Sequence, residues 1–63
     1  MTNDMLDAIA RTVSLVRCGY TFSEALDYGA IYYDLDEFQR EDLEVMSRNQ
    51  LARLMKQIKG DTQ

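Results

Sequence analysis

With 63 residues, no proline, no histidine, one cysteine and a net charge of −4, the chain is one domain at most, with neither an internal disulfide nor the ligands of a structural zinc site. A domain this short buries only about 60% of the surface its unfolded chain exposes, so helix packing and self-association are left to supply stability. Abundant Leu, Ala, Glu, Arg and Met predict helix throughout, and with no basic-then-apolar leader, no run near the roughly 20 apolar residues of a membrane span, and a single thiol, a soluble cytoplasmic protein is expected.

The predicted fold is all-α: two shorter helices, then a long C-terminal one, forming a single helical domain over 1–59 with a frayed tail at 60–63. Thr2, Asn3 or Asp4 can cap the first helix, and Cys18–Gly19 ends it, with Gly19 in the left-handed position after the last turn. Met5, Leu6, Ile9, Val13 and Val16 recur at three- and four-residue spacing and make its apolar stripe. Leu15 and Cys18 lie off that stripe. With no His and no electropositive pocket beside it, Cys18 is expected to be a small buried hydrophobe and not a reactive thiolate.

Ser23 or Thr21 caps the second helix, with Glu24 in its first turn. Its stripe is Phe22, Ala25, Leu26, Gly29, Ala30 and Tyr33. A glycine inside a helix costs about 1 kcal/mol relative to Ala. Gly29, four residues after Ala25 on the same face, therefore predicts close approach of another helix. Tyr28 and Tyr32 form a second pair at helical spacing, partly off the stripe. Such tyrosines are either boundary residues with wetted hydroxyls or anchors of an interface, where Tyr is enriched.

Asp34 or Asp36 caps the third helix, predicted to run to Lys59 before Gly60 stops it. Its main stripe is Leu43, Met46, Leu51, Leu54, Met55 and Ile58. Phe38, Val45 and Ala52 fall on nearly the opposite side, seven residues apart. A helix that is apolar on two sides must be covered twice. One side can pack on the first two helices; the other needs a neighbour, most simply a second copy. A strict coiled coil fails, because extending Leu51–Leu54–Ile58 backwards meets Ser47 and Glu44. The expected assembly is an intertwined or side-by-side helical homodimer through Leu15, Phe38, Val45 and Ala52.

Charge is distributed unevenly. Residues 1–23 balance to zero, residues 24–44 carry eight acids against Arg40 alone, and residues 45–60 carry Arg48, Arg53, Lys56 and Lys59. Acids early and bases late in the last helix suit its dipole. The same division also lets the halves meet opposite charge on another molecule. The acidic segment, Phe22 to Glu44, holds both phenylalanines and three of the four tyrosines. Bulk and charge together point to a surface for a macromolecule, with Tyr28, Tyr32, Asp34, Asp36 and Glu37 as the candidate contacts.

Other chemistries fit poorly. A helix-turn-helix built on Ala25, Gly29, Leu35 and Phe38 would run its second helix from about Tyr32 to Arg40. That helix would present Asp34, Asp36 and Glu37 to phosphates, which is repulsive. The basic end could touch nucleic acid, but it lacks interleaved aromatics. The acidic stretch could mimic DNA, although Arg40 and the basic tail dilute it. Asp34-x-Asp36 begins like a calcium loop, yet Phe38, Gln39 and Val45 occupy the fifth, glycine and bidentate-Glu positions. With no nucleophile elbow and no phosphate loop, and with Glu37 and Glu41 at ordinary surface spacing, neither catalysis nor a cofactor is expected.

Across LVRCGYTFSEALDYGAIYYDLDEFQREDLE, Leu15 to Glu44, the chain resembles the 63-residue open-reading-frame protein family of the exo–xis region of lambdoid bacteriophages, and the likeness extends over the full length. The resemblance implies a small helical, dimeric, early-expressed phage protein of the host cytoplasm. The region is associated with biasing infection towards lytic growth, prophage induction and host takeover, and the leading expectation is a non-enzymatic protein that binds one or more host proteins. The resemblance carries no site residues with it. The rival expectation is a nucleic-acid-associated transcriptional regulator acting through the basic C-terminal helix, or an acidic DNA mimic.

Overall fold

Two helix-ending turns of one design divide the chain into three α-helices: α1 (Asn3–Arg17), α2 (Phe22–Tyr32) and α3 (Glu37–Asp61). The computed structural model describes residues 3–61, and side-chain surroundings for residues 3–57. Thr2, one of the three candidate caps for α1, lies outside the described residues.

At the end of α1 the Tyr20 N–H donates to the Leu15 carbonyl and the Gly19 N–H to that of Val16, both at 3.1 Å. This double closure needs a left-handed residue after the last turn. Gly19 supplies it with φ 112°. The end of α2 repeats the pattern. Leu35 N–H donates to Ala30 O at 2.9 Å and Asp34 N–H to Ile31 O at 3.2 Å. Here the left-handed residue is Asp34, with φ 52°. Asp34 is therefore the stop signal of α2 and not the cap of α3.

The starts of α2 and α3 are closed by reciprocal boxes. The Thr21 hydroxyl accepts from Glu24 N–H at 3.2 Å, and the Glu24 carboxylate reaches back to the Thr21 N–H. Of the two candidate caps for α2, Thr21 serves. Asp36 does the same for α3: Gln39 N–H donates to its Oδ1 at 2.8 Å, and Asp36 N–H donates to Gln39 Oε1 at 3.1 Å. The break at 33–36 also rules out one helix from Tyr32 to Arg40, since Tyr32 ends α2 and α3 starts at Glu37.

The helices meet where side chains are smallest. Met5, Ala8, Leu26, Ala30 and Leu43 form the core, with Ile9, Phe22, Tyr33, Leu35 and Met46 packed round it. Gly29 stands where α2 crosses α1: a Cβ there would lie 2.7 Å from Thr12 Oγ1, 3.4 Å from Leu43 Cδ2 and 3.6 Å from Ala8 O. The close approach expected at Gly29 is present. Thr12 and Ser47 are fully buried, and their hydroxyls have no hydrogen-bond partner among the described residues. An unsatisfied buried hydroxyl costs about 1–3 kcal/mol. These two residues fill space at the helix contacts and add no polar anchoring.

Three expectations are corrected. Cys18 is exposed, because it belongs to the turn after α1 and not to the helix contact. Leu6 and Met55, assigned to packed stripes, are also exposed. The α3 helix runs through Gly60 to Asp61, since one glycine cannot end a helix without a left-handed turn; residues 62–63 lie outside the described residues. With 25 residues, α3 is about 37 Å long, against extents of 41 × 24 × 16 Å for the described chain. Two shorter helices cannot cover that length, and Leu51 and Leu54 are only half-buried.

Gly29→Ala is expected to destabilise the domain. Overpacking costs about 1–3 kcal/mol and outweighs the gain in helix propensity of about 1 kcal/mol. In a Thr12→Ala background the same substitution should be neutral or stabilising, because the clashing hydroxyl is gone; thermal unfolding of the four proteins checks this. Asp34→Gly should hold or raise Tm, whereas Asp34→Ala should lower it, since the left-handed conformation disfavours a Cβ without a compensating local hydrogen bond.

Candidate interaction surfaces

The tyrosines divide between two sides of α2. Tyr33 turns inward against the core. Tyr28 and Tyr32, one helical turn apart, stay exposed. Neither is loose. The Tyr20 ring meets Tyr28 edge-on with centroids 5.7 Å apart, and Tyr32 meets Tyr33 in the same way at 4.8 Å. The Arg11 guanidinium of α1 lies 4.0 Å from the Tyr32 ring centroid. Such a stack contributes about 0.5–1 kcal/mol at an exposed site and holds the ring in one place. Ile31 sits on the same outward side and is 78% exposed.

The sequence reading missed Ile31. Its signal was its position, one residue beyond Ala30 and off the stripe that packs inward. Together Tyr28, Ile31 and Tyr32 make an aromatic and aliphatic face with held rings. Asp27 lies beside it and pairs with Arg40, which ties α2 to the start of α3.

The acidic candidates fare differently. Asp34 and Asp36 are exposed, but their first roles are structural, one ending α2 and the other capping α3. Both line a shallow groove together with Ile31, Leu35, Glu37 and Arg40. Glu37 opens the first turn of α3, where a negative charge suits the helix dipole.

A second surface lies round α3. Phe38 is 79% and Val45 58% exposed, and Ala52 is exposed below them. Arg40 reaches towards α2, so Phe38, two residues earlier and about 160° away round the helix, points away from the other helices. Leu15 does not join this stripe. It lines a groove on the other flank of α1 with Asp7, Arg11, Cys18 and Tyr33. The structure therefore groups Phe38, Val45 and Ala52 and leaves Leu15 apart.

A third feature is an open groove of 620 Å³ between α1 and the distal half of α3, floored by Leu6, Ile9, Val13, Met46 and Leu54, with Arg17 and Arg53 at its edge. It exists because α3 continues after its packed segment. Among the described residues no cluster of His, Cys, Asp or Glu could hold a metal ion, and no helix is long and apolar enough to cross a membrane.

No protein-family model matches the chain, and comparison with curated proteins and with solved structures finds no match.

Because Phe38 stands clear of its own subunit, Phe38→Ala in dilute protein should change the unfolding free energy by no more than about 0.5 kcal/mol. Leu43→Ala, at a site with no exposure, should cost about 2–5 kcal/mol. Urea titrations at low concentration measure both, and a large loss for Phe38→Ala would mean that its ring is packed within the monomer.

Proposed function

We propose that this chain is a non-enzymatic phage accessory protein that self-associates through the outer side of α3 and binds a bacterial host protein through the exposed face of α2. The observation that carries the reading is the Tyr28–Ile31–Tyr32 face, apolar, held in place and bordered by acids. Interfaces concentrate their energy in aromatic side chains whose geometry is set before binding. The surrounding carboxylates favour a partner that is basic at its rim and apolar at its centre, because complementary charge speeds encounter and suppresses wrong partners. The phage role in the host cytoplasm, towards lytic growth and prophage induction, is the part of the proposal taken from the resemblance read over Leu15 to Glu44.

A nucleic-acid regulator is the competing reading, and exposed Arg53 and Lys56 on distal α3 are the residues it would use.

Expressed in trans in a lambdoid lysogen, the wild-type chain should raise prophage induction and free-phage yield. The Tyr28→Ala/Tyr32→Ala variant, of equal helicity by circular dichroism, should return the yield to that of the empty vector. Unchanged activity of that variant would rule out the α2 face. Binding to duplex DNA that is lost between about 50 and 200 mM salt, and lost on neutralising Arg53 and Lys56, would put the nucleic-acid reading in its place.

A further inference from the structure

We propose that the open groove between α1 and the distal half of α3 takes an amphipathic helix of a partner protein, with acidic residues in the first turn of that helix set against Arg17 and Arg53. This occupant is separate from the α2 face and from self-association. Neither Tyr28 nor Tyr32 lines the groove, and Met46 and Arg53 stand about 90° round α3 from Val45.

The shape of the groove follows from helix direction and length. Arg40 pairs with Asp27, and Arg48 lies over Phe22, so α3 runs opposite to α2. The short turn at residues 18–21 sends α2 back along α1, so α1 and α3 run in the same sense. With 11 residues, α2 covers one side of this pair. The other side is the groove, floored by Leu6, Ile9, Val13, Met46 and Leu54. From Leu6 to Arg17 it follows α1 for about 16 Å, three helical turns. Ala10 and Ser14, also in its lining, are small and exposed, which lets another backbone come close. A helix laid there opposite to α1 and α3 completes a four-helix bundle of alternating direction.

Charge gives the occupant its sign and its direction. The chain has eleven acidic and seven basic residues, yet the described residues that line the groove include Arg17 and Arg53 and no acid. These two arginines are uncommitted. Arg11 stacks on Tyr32, Arg40 pairs with Asp27 and Arg48 with Glu44, whereas Arg17 and Arg53 have no ion pair among the described residues. Arg17 lies in the last turn of α1, and α3 runs in the same sense, so both arginines mark one end of the groove. An antiparallel occupant brings its N-terminus to that end. Acids in a first turn suit the helix dipole, so the carboxylates that stabilise the incoming helix also meet the two guanidinium groups. Nucleic acid fits less well, because its phosphates would leave the apolar floor uncovered. The α2 face, bordered by acids, selects the opposite charge. One chain thus presents two surfaces that discriminate between two partners.

The probe is a fluorescein-labelled peptide of about 18 residues, above the length at which isolated helices are marginal in water. It carries leucines at i, i+3, i+4 and i+7 spacing and glutamates in its first turn. A second peptide has lysines in that turn, and a third has the first one's composition in scrambled order. By fluorescence anisotropy the glutamate peptide should bind the wild-type chain about tenfold more tightly than either of the others. Arg17→Glu/Arg53→Glu should reverse the preference in favour of the lysine peptide. Leu6→Gln, at an exposed position, should weaken the glutamate peptide at unchanged helicity. Tyr28→Ala/Tyr32→Ala should leave its binding as in wild type, and loss of binding there would place the site on α2 instead. Equal binding of the three peptides would overturn the proposal. Binding of dodecanoate without binding of the glutamate peptide would make the occupant a small anionic amphiphile and remove the partner helix. In a Cys18→Ser background, Leu6→Cys should react rapidly with a maleimide. A slow reaction in protein of dimeric mass would show that a second copy already fills the groove, and would sink the idea.

Discussion

The close crossing of α2 over α1 at Gly29 is the constraint on which the arrangement depends. With Thr12 Oγ1, Leu43 Cδ2 and Ala8 O all near the space a Cβ would fill, the two helices meet almost backbone to backbone. Leu43 closes the contact from α3 and is fully buried. A small chain has few large apolar residues to spend on a core, and near contact of backbones lets Ala8, Ala25 and Ala30 serve where a wider gap would need leucines. The helical propensity lost at Gly29 is offset by dispersion contacts along both helices.

That economy has a consequence at the surface. Because Ala, Gly, Thr and Ser fill much of the interior, several bulky residues are left outside: Leu6, Tyr20, Tyr28, Ile31, Tyr32, Phe38, Val45 and Met55 are all exposed. Scattered apolar residues on a surface are ordinary. Here they are grouped, one set on α2 with its rings held by neighbours, the other in line along α3. The two sets face different ways, so one can be covered by a second copy while the other remains available to a different protein. The division of labour in the proposed function follows from this separation.

The two turns show how local chemistry sets what a residue is free to do. Asp34 and Asp36 looked like recognition residues because they are acidic and near the tyrosines. In the structure each is first a backbone device, Asp34 holding the left-handed end of α2 and Asp36 closing the start of α3. Their charge still contributes to the acidic border, but their positions are dictated by the turn between two helices. Glu37, Glu41 and Asp42 are exposed on α3 and end or cap no helix.

Much of this was legible in the residues alone. The apolar spacing marks three helices, the inward side of α2 from Phe22 to Tyr33, and the second apolar line Phe38–Val45–Ala52, because helical periodicity is a property of the sequence. Gly19 as the stop of α1 and Gly29 as a crossing point could also be read, since glycine at those places has few other reasons. What tertiary structure decided was which apolar residues find cover. Leu6 and Met55 match a buried pattern and Cys18 was expected inside as a small hydrophobe, yet all three lie outside, while Ser47 breaks the pattern and lies inside. Leu15 and Phe38 were expected at one interface, but Leu15 lines a groove beside α1 while Phe38 stands exposed on α3. Burial depends on where neighbouring helices cross and where they end. In a fold of three helices, with one far longer than the others, those crossings leave the distal half of α3 and the face of α2 uncovered.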